Sequence, residues 1–202
     1  MDAYLRGPKE SILAPVARWS PRGVHPNAIT LVAVVPGIGA AVAAAAGVPA
    51  IAVSLWLLNR VLDGLDGTLA RQRGRQSDLG GYLDILMDFV VYAAVPIGLA
   101  AHAGDRETWV GASVLLATFY VNTISWAYLS AVLERRARDV VSPAPGYTAV
   151  TMPGGLIEGA ETVVIYTVML AIPTWAPALF WVMTAAVMVT IGQRVVWAVH
   201  NL

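Results

Sequence analysis

The sequence predicts an all-α integral membrane protein with six transmembrane helices and a short N-terminal interfacial helix. Three observations carry that reading. Hydrophobic residues make up 57% of the 202-residue chain and charged residues only 13%, too few to cover a water-soluble surface of this size. Six apolar stretches approach the roughly 20 residues that a helix needs to cross a bilayer. Basic residues cluster on one side of those stretches. Cysteine is absent, which excludes disulfides, thiolate metal sites and cysteine nucleophiles together. Formal net charge is zero, so nothing in the overall charge points to nucleic acid.

Residues 1–26 are read as a cytoplasmic N-terminal segment and residues 27–202 as one six-helix membrane domain. Within the first, Ile12, Leu13, Val16 and Trp19 form an apolar stripe against Lys9, Glu10 and Arg18. That pattern suits a helix lying on the cytoplasmic leaflet, bent by Pro15. The segment is polar and interrupted by Pro and Gly, unlike a signal peptide, so the first apolar stretch is read as a retained span. In the run Gly23 to Thr30, GVHPNAIT, Pro26 and Asn27 are helix-start signals. The spans are placed at about 27–47, 49–70, 79–103, 108–132, 155–173 and 175–199. Pro36, Gly37 and Gly39 allow the first to kink or a neighbour to approach closely. The Pro- and Gly-rich stretch from about 134 to 154 is the longest loop, either a mobile flap or a passive connector. Tyr120, Asn122, Ser125 and Tyr128 read as interhelical hydrogen-bond formers, and Trp109, Trp175 and Trp197 as anchors at the membrane interface. His25, His102 and His200 show no metal-ligand spacing.

Arginine placement sets the orientation. Arg6, Lys9, Arg18 and Arg22 precede the first span, and Arg71, Arg73 and Arg75 join the second to the third. Arg135, Arg136 and Arg138 follow the fourth, and Arg194 lies near the end of the sixth, whereas the opposite side offers only Arg106. The positive-inside rule then puts both termini and the loop after the second span in the cytoplasm.

That loop lies within the most informative stretch, residues 63 to 88, DGLDGTLARQRGRQSDLGGYLDILMD. Asp63 and Asp66 share one helical face, as do Asp84 and Asp88. Hydrocarbon penalises carboxylates, so four on two adjacent spans need a common reason, and a hard divalent cation is the simplest. Two such ions about 3.5–4 Å apart would neutralise the site and could clamp a phosphoryl group. Gly67 and Gly80 leave room for pyrophosphate to approach the backbone, and Arg71 can bond phosphate. Arg60, one turn before Asp63, is read as pairing with a nearby acid such as Glu158 or Glu161, or as reaching an acceptor.

The spacing D-x2-D-G-x2-A-R-x8-G-x3-D-x3-D, with Ala70 and Arg71 between the aspartate pairs, resembles the CDP-alcohol phosphotransferase signature at every fixed position. The G-x-x-P-N-x-x-T opening around Pro26 and Asn27 is similar to family members, where it touches the nucleotide, and Ser77 matches a position that contacts the CDP part. The resemblance implies a phospholipid-synthesis enzyme in the cell membrane. It would transfer a phosphatidyl group from a CDP-linked lipid such as CDP-diacylglycerol to an acceptor alcohol, releasing CMP. It further implies two ions, Mg2+ or Mn2+, with Asp63 and Asp84 bridging both, Asp66 completing the first and Asp88 touching the second. Asp88 would also be the general base, and the assembly a homodimer.

At the apparent equivalents of basic acceptor-binding residues in phosphatidylinositol-phosphate synthases, this chain has Ser130, Gly159 and Thr162. An uncharged or zwitterionic acceptor is therefore expected, with inositol phosphate or glycerol phosphate as the alternative. Two rivals fit less well. An intramembrane prenyltransferase carries two separated Asp-rich motifs, and a cation transporter spreads its carboxylates through the membrane depth.

The cysteine-free background makes topology directly testable. Asp105→Cys should react with an impermeant thiol reagent from outside intact cells, and Val140→Cys only after the membrane is opened. The reverse pattern would overturn the orientation.

Overall fold

The computed structural model describes residues 25–139 and 155–202. The expected interfacial helix and residues 140–154 of the expected loop lie outside them. The described residues form six α-helices: α1 (Pro26–Ala45), α2 (Pro49–Gln72), α3 (Asp78–Ala103), α4 (Arg106–Asp139), α5 (Gly159–Ala171) and α6 (Ala176–Asn201). A 3-10 turn, Pro173–Trp175, joins the last two.

Local chemistry sets most of these boundaries. Pro26 opens α1, where a missing N–H costs nothing, and the His25 ring accepts a hydrogen bond from the Asn27 amide at 3.3 Å. Gly47, with φ of 70°, turns the chain tightly into Pro49. Ser77 caps α3 by accepting from the Gly80 amide at 3.1 Å. At the far end of α3, Gly104 takes the left-handed conformation, φ 71°, that ends helices without a Cβ clash. Asp105 then caps α4, accepting from the Thr108 amide at 2.8 Å and hydroxyl at 2.7 Å, and these bonds hold its carboxyl below the ordinary carboxylate range. Glu158 and Glu161 form a reciprocal capping box at the start of α5.

The spans match the expected ones with two differences. Helix α4 runs on to Asp139 rather than stopping near 132, so the first part of the expected loop is helical. Helix α5 has only 13 residues. By length and composition α1, α3, α4 over Arg106–Arg136, and α6 with its 3-10 turn, Pro173–Asn201, can each cross a membrane. Helix α2 is long enough but carries Arg60, Asp63, Asp66 and Arg71. The exterior is as apolar as the interior, with Val35, Val182 and Val199 all exposed, which is the distribution of a multi-pass membrane protein.

Helix α1 packs on α2 and α3, α4 on α6, and α5 links α2 to the rest. The core joins both groups through Trp56, Leu99, Leu115, Tyr166, Met169, Phe180 and Met183. Small residues draw α1 and α3 together: a Cβ on Gly98 would collide with the Ala41 carbonyl oxygen, and one on Gly37 would lie 2.5 Å from Val91 Cγ2. The close approach foreseen for Gly37 is therefore present. Of the four polar residues read as interhelical on α4, Asn122 fits, accepting from Arg194 Nη1 at 2.9 Å. Tyr120 and Tyr128 do not; they are 73% and 72% exposed and point off the bundle. Arg194, read as an orientation signal, is buried.

Gly98→Val should force α1 from α3 and cost about 1–3 kcal/mol, as overpacking typically does. Gly192→Ala, where an added Cβ meets nothing within 4 Å, should leave the Tm of the detergent-solubilised protein unchanged or raise it. An unaltered Tm for Gly98→Val would contradict the packing.

Candidate active site

The first turns of α1, the last turns of α2 and the first turns of α3 meet at one end of the bundle and enclose a cleft of about 190 Å³. Helix α1 contributes Pro26, Asn27 and Thr30; α2 contributes Asp66, Gly67, Ala70 and Arg71. Ser77 comes from the connecting loop, and Gly80 and Asp84 from α3. All seven residues expected to bind substrate, Pro26, Asn27, Gly67, Ala70, Arg71, Ser77 and Gly80, line this one space.

Its glycines have a visible use. A Cβ on Gly67 would sit 3.3 Å from the Arg71 guanidinium, which lies back over the helix at that point. A Cβ on Gly80 would sit 3.1 Å from Asn27 Oδ1 and 3.2 Å from Ser77 Oγ. Glycine at both positions keeps the cleft open and lets polar groups from three elements converge.

The four aspartates separate into two layers. Asp66 and Asp84 face the cleft, and Asp66 is buried, with the Thr30 hydroxyl donating to its Oδ2. Asp63 and Asp88 do not line it and instead meet Arg60: Nη2 donates to Asp88 Oδ1 at 2.9 Å, and Nη1 lies 4.0 Å from Asp63 Oδ2. The layers remain within electrostatic reach, since Asp66 is repelled by Asp63 and Asp88, and Asp88 by Asp63 and Asp84. Among the described residues no three acidic or imidazole side chains converge as a ready-made metal group. The donor chemistry nonetheless fits a hard divalent cation: four carboxylates repel one another at one end of the bundle, with few fixed cations among them.

Arg60 pairs with nearby acids as expected, but they are not the two glutamates. Its acids are Asp88 and Asp63, whereas Glu158 and Glu161 are engaged in capping α5. The reason is packing: Arg60 is drawn over the rings of Trp56 and Tyr92, at 4.8 and 5.0 Å, toward α3.

Two features of the site escaped the sequence reading. Thr30 was quoted within the P-N-x-x-T run without a role, although it sits one turn after Pro26 on the face that meets Asp66. Tyr92 follows Asp88 by one helical turn, a spacing that puts both on one face of α3. The i, i+4 relation was available as a signal.

A membrane bundle with polar cleft, glycine lining and clustered carboxylates is the architecture of an enzyme handling phosphorylated lipid. The CDP-alcohol phosphatidyltransferase pattern matches residues 23–192, and the chain belongs to that family of membrane transferases. It is 35% identical over 153 residues to the inner membrane protein YnjF of Escherichia coli, covering 76% of this chain and 72% of that one. It is 28% identical over 215 residues to the phosphatidylinositol phosphate synthase of Streptomyces avermitilis, covering 97% of this chain and 81% of that one. In fold it is similar to the Mycobacterium tuberculosis phosphatidylinositol phosphate synthase PgsA1. The structure of PgsA1 with CDP-DAG bound has a TM-score of 0.72 at 24% identity, covering 92% of each chain. Its complex with manganese and citrate has a TM-score of 0.71 at 22% identity, covering 91% of this chain and 87% of that one.

Thr30→Val removes the donor to a buried carboxylate and should lower stability by about 1–3 kcal/mol. Thr30→Ser keeps the hydroxyl and should restore it, as read by thermal unfolding in detergent. Equal Tm values for the two variants would dismiss the bond.

Proposed function

We propose that this protein transfers a phosphatidyl group from a CDP-linked lipid, such as CDP-diacylglycerol, to an acceptor alcohol and releases CMP, at the cytoplasmic face of the cell membrane. The observation that carries this is the shared cleft: seven residues expected to hold the donor, with Asp66 and Asp84, line one space at one end of the bundle. Asn27 and Ser77 meet at Gly80, where the CDP part would rest, and Gly67 leaves the backbone open to pyrophosphate. Arg71 supplies charge-assisted hydrogen bonds to phosphate oxygens and takes up negative charge as CMP departs. The lipid tails stay outside, against the apolar exterior of the helices.

Asp63, Asp66, Asp84 and Asp88 would hold two divalent ions, Mg2+ or Mn2+, which when bound supply positive charge to the pyrophosphate. Asp88 has one oxygen on Arg60 and a side chain 30% exposed, so its other oxygen can accept a proton from the acceptor hydroxyl. The deprotonated oxygen then attacks the phosphorus that bears the lipid, and the bond to CMP breaks. We take the working unit to be a homodimer, as the family resemblance implies.

The acceptor is read as an uncharged or zwitterionic alcohol. Ser130, Gly159 and Thr162 stand where basic residues would be expected, and the Thr162 hydroxyl is turned onto the Glu158 carbonyl at 2.9 Å. A phosphorylated acceptor is the second reading, favoured by similarity along 97% of this chain to a phosphatidylinositol phosphate synthase.

CMP release from CDP-diacylglycerol with Mg2+ or Mn2+, measured against neutral alcohols, inositol phosphate and glycerol phosphate, tests reaction and acceptor together. Asp88→Asn should lower the single-turnover rate about 10²–10⁴-fold, the usual loss for a general base, with donor affinity little changed. Asp66→Asn should weaken metal and donor binding along with turnover. Full rate for Asp88→Asn at saturating metal would remove the base assignment, and preference for inositol phosphate would reverse the acceptor reading.

A further inference from the structure

Arg60 has no part in the reaction just described, yet it lies among the carboxylates with a side chain only 10% exposed. Its Nε and Nη2 both donate to Asn59 Oδ1, at 2.8 and 2.6 Å. Nη1 donates to the Tyr92 hydroxyl at 2.9 Å, and Nη2 to Asp88 Oδ1 at 2.9 Å. The supports are themselves fixed. The Asn59 amide donates to the Ala33 carbonyl at 2.7 Å, the Tyr92 carbonyl accepts from the Tyr166 hydroxyl at 2.8 Å, and Trp56 bonds Thr167 at 3.0 Å. Four of the five guanidinium N–H donors are thereby used. A guanidinium held by aromatic faces and an anchored amide is a fixed charge rather than a mobile receptor for substrate anions.

Its position has a consequence for cation binding. A single positive charge about 6 Å from a divalent ion weakens that ion's binding about tenfold even at the dielectric constant of water, and more in a drier site. We propose that Arg60 is a positioning residue, a resident cation that holds Asp88 and Asp63 in place and, by its charge, weakens binding of the divalent ion those carboxylates would share. Arg60 thereby ties firm uptake of that ion to the arrival of the donor, whose pyrophosphate brings the missing negative charge. This rests on the reading of the four aspartates as metal ligands given above.

The test is Mn2+ uptake by the purified full chain without substrate, followed by the electron paramagnetic resonance signal of free Mn2+. Arg60→Met should bind Mn2+ about tenfold more tightly than the parent protein. Arg60→Lys, which keeps the charge, should stay within about twofold of it. Arg60→Gln, which also removes the charge, should tighten binding in the same direction. In parallel, Arg60→Met should lower the single-turnover rate of CMP release while leaving the KM for the CDP-lipid nearly unchanged, because Asp88 loses its orientation and the donor cleft does not. Unaltered or weaker Mn2+ binding in Arg60→Met overturns the proposal. Should that variant not fold, unaltered or weaker binding in Arg60→Gln does the same. Parent protein that binds no Mn2+ even with CDP-diacylglycerol present, or binds it equally well as Asp63→Asn, removes the metal reading itself and this inference with it.

Discussion

A carboxylate on a helix that crosses hydrocarbon persists only where something nearby answers its charge, and here much of the architecture serves that requirement. Asp88 and Asp63 are answered by Arg60, and Asp66 by the Thr30 hydroxyl. The Thr30–Asp66 and Arg60–Asp88 contacts each join two helices, so meeting the charge also sets the packing. Thr30 ties α1 to α2, and Arg60 ties α2 to α3 through both Asp88 and Tyr92. Replacing one partner leaves a charge in a medium that solvates it poorly, which is why such a cluster behaves as a unit.

Beneath that cluster the three rings of Trp56, Tyr92 and Tyr166 pack at centroid distances of 5.5–6.0 Å, joining α2, α3 and α5. They separate the polar end of the bundle from an interior of alanine, leucine and methionine. The Tyr92 hydroxyl meets Arg60 at the polar end, while the Tyr166 hydroxyl and the Trp56 indole N–H are satisfied inside the bundle by the Tyr92 carbonyl and Thr167. The small residues of α1 act at a different level. By letting α3 come against the Ala41 backbone they fix the separation of the helices that wall the cleft.

Much of this was legible in the sequence, because it depends on local signals. Span limits follow from the length of apolar runs, and their ends from Pro26, Pro49, Ser77 and Gly104, each of which acts on its immediate neighbours. The cleft lining was expected at Gly67, Arg71 and Gly80 from the residues of the motif, and at Pro26, Asn27 and Ser77 from what the family resemblance implies. What was not legible depends on which faces meet. Arg60 has acids available on α2, α3 and α5, and the seating of its guanidinium against Trp56 and Tyr92 selects Asp88. The length of α4 was missed for another reason: hydropathy marks where a helix leaves hydrocarbon, while Glu134, Arg135 and Arg136 are good helix formers and continue it.

The shortness of α5 bears on how water-soluble reactants reach a site set among membrane helices. Thirteen residues rise about 20 Å, some 10 Å less than the hydrocarbon thickness of a typical bilayer. With exposed Trp175 as the expected interface anchor just beyond its far end, the shortfall would fall at the Glu158 end, where the polar capping box begins the helix. Burying Glu158 and Glu161 in hydrocarbon carries a large penalty, and local thinning of the bilayer accommodates so short a helix instead. Thinning there brings the aqueous phase closer to the end of the bundle that holds the cleft.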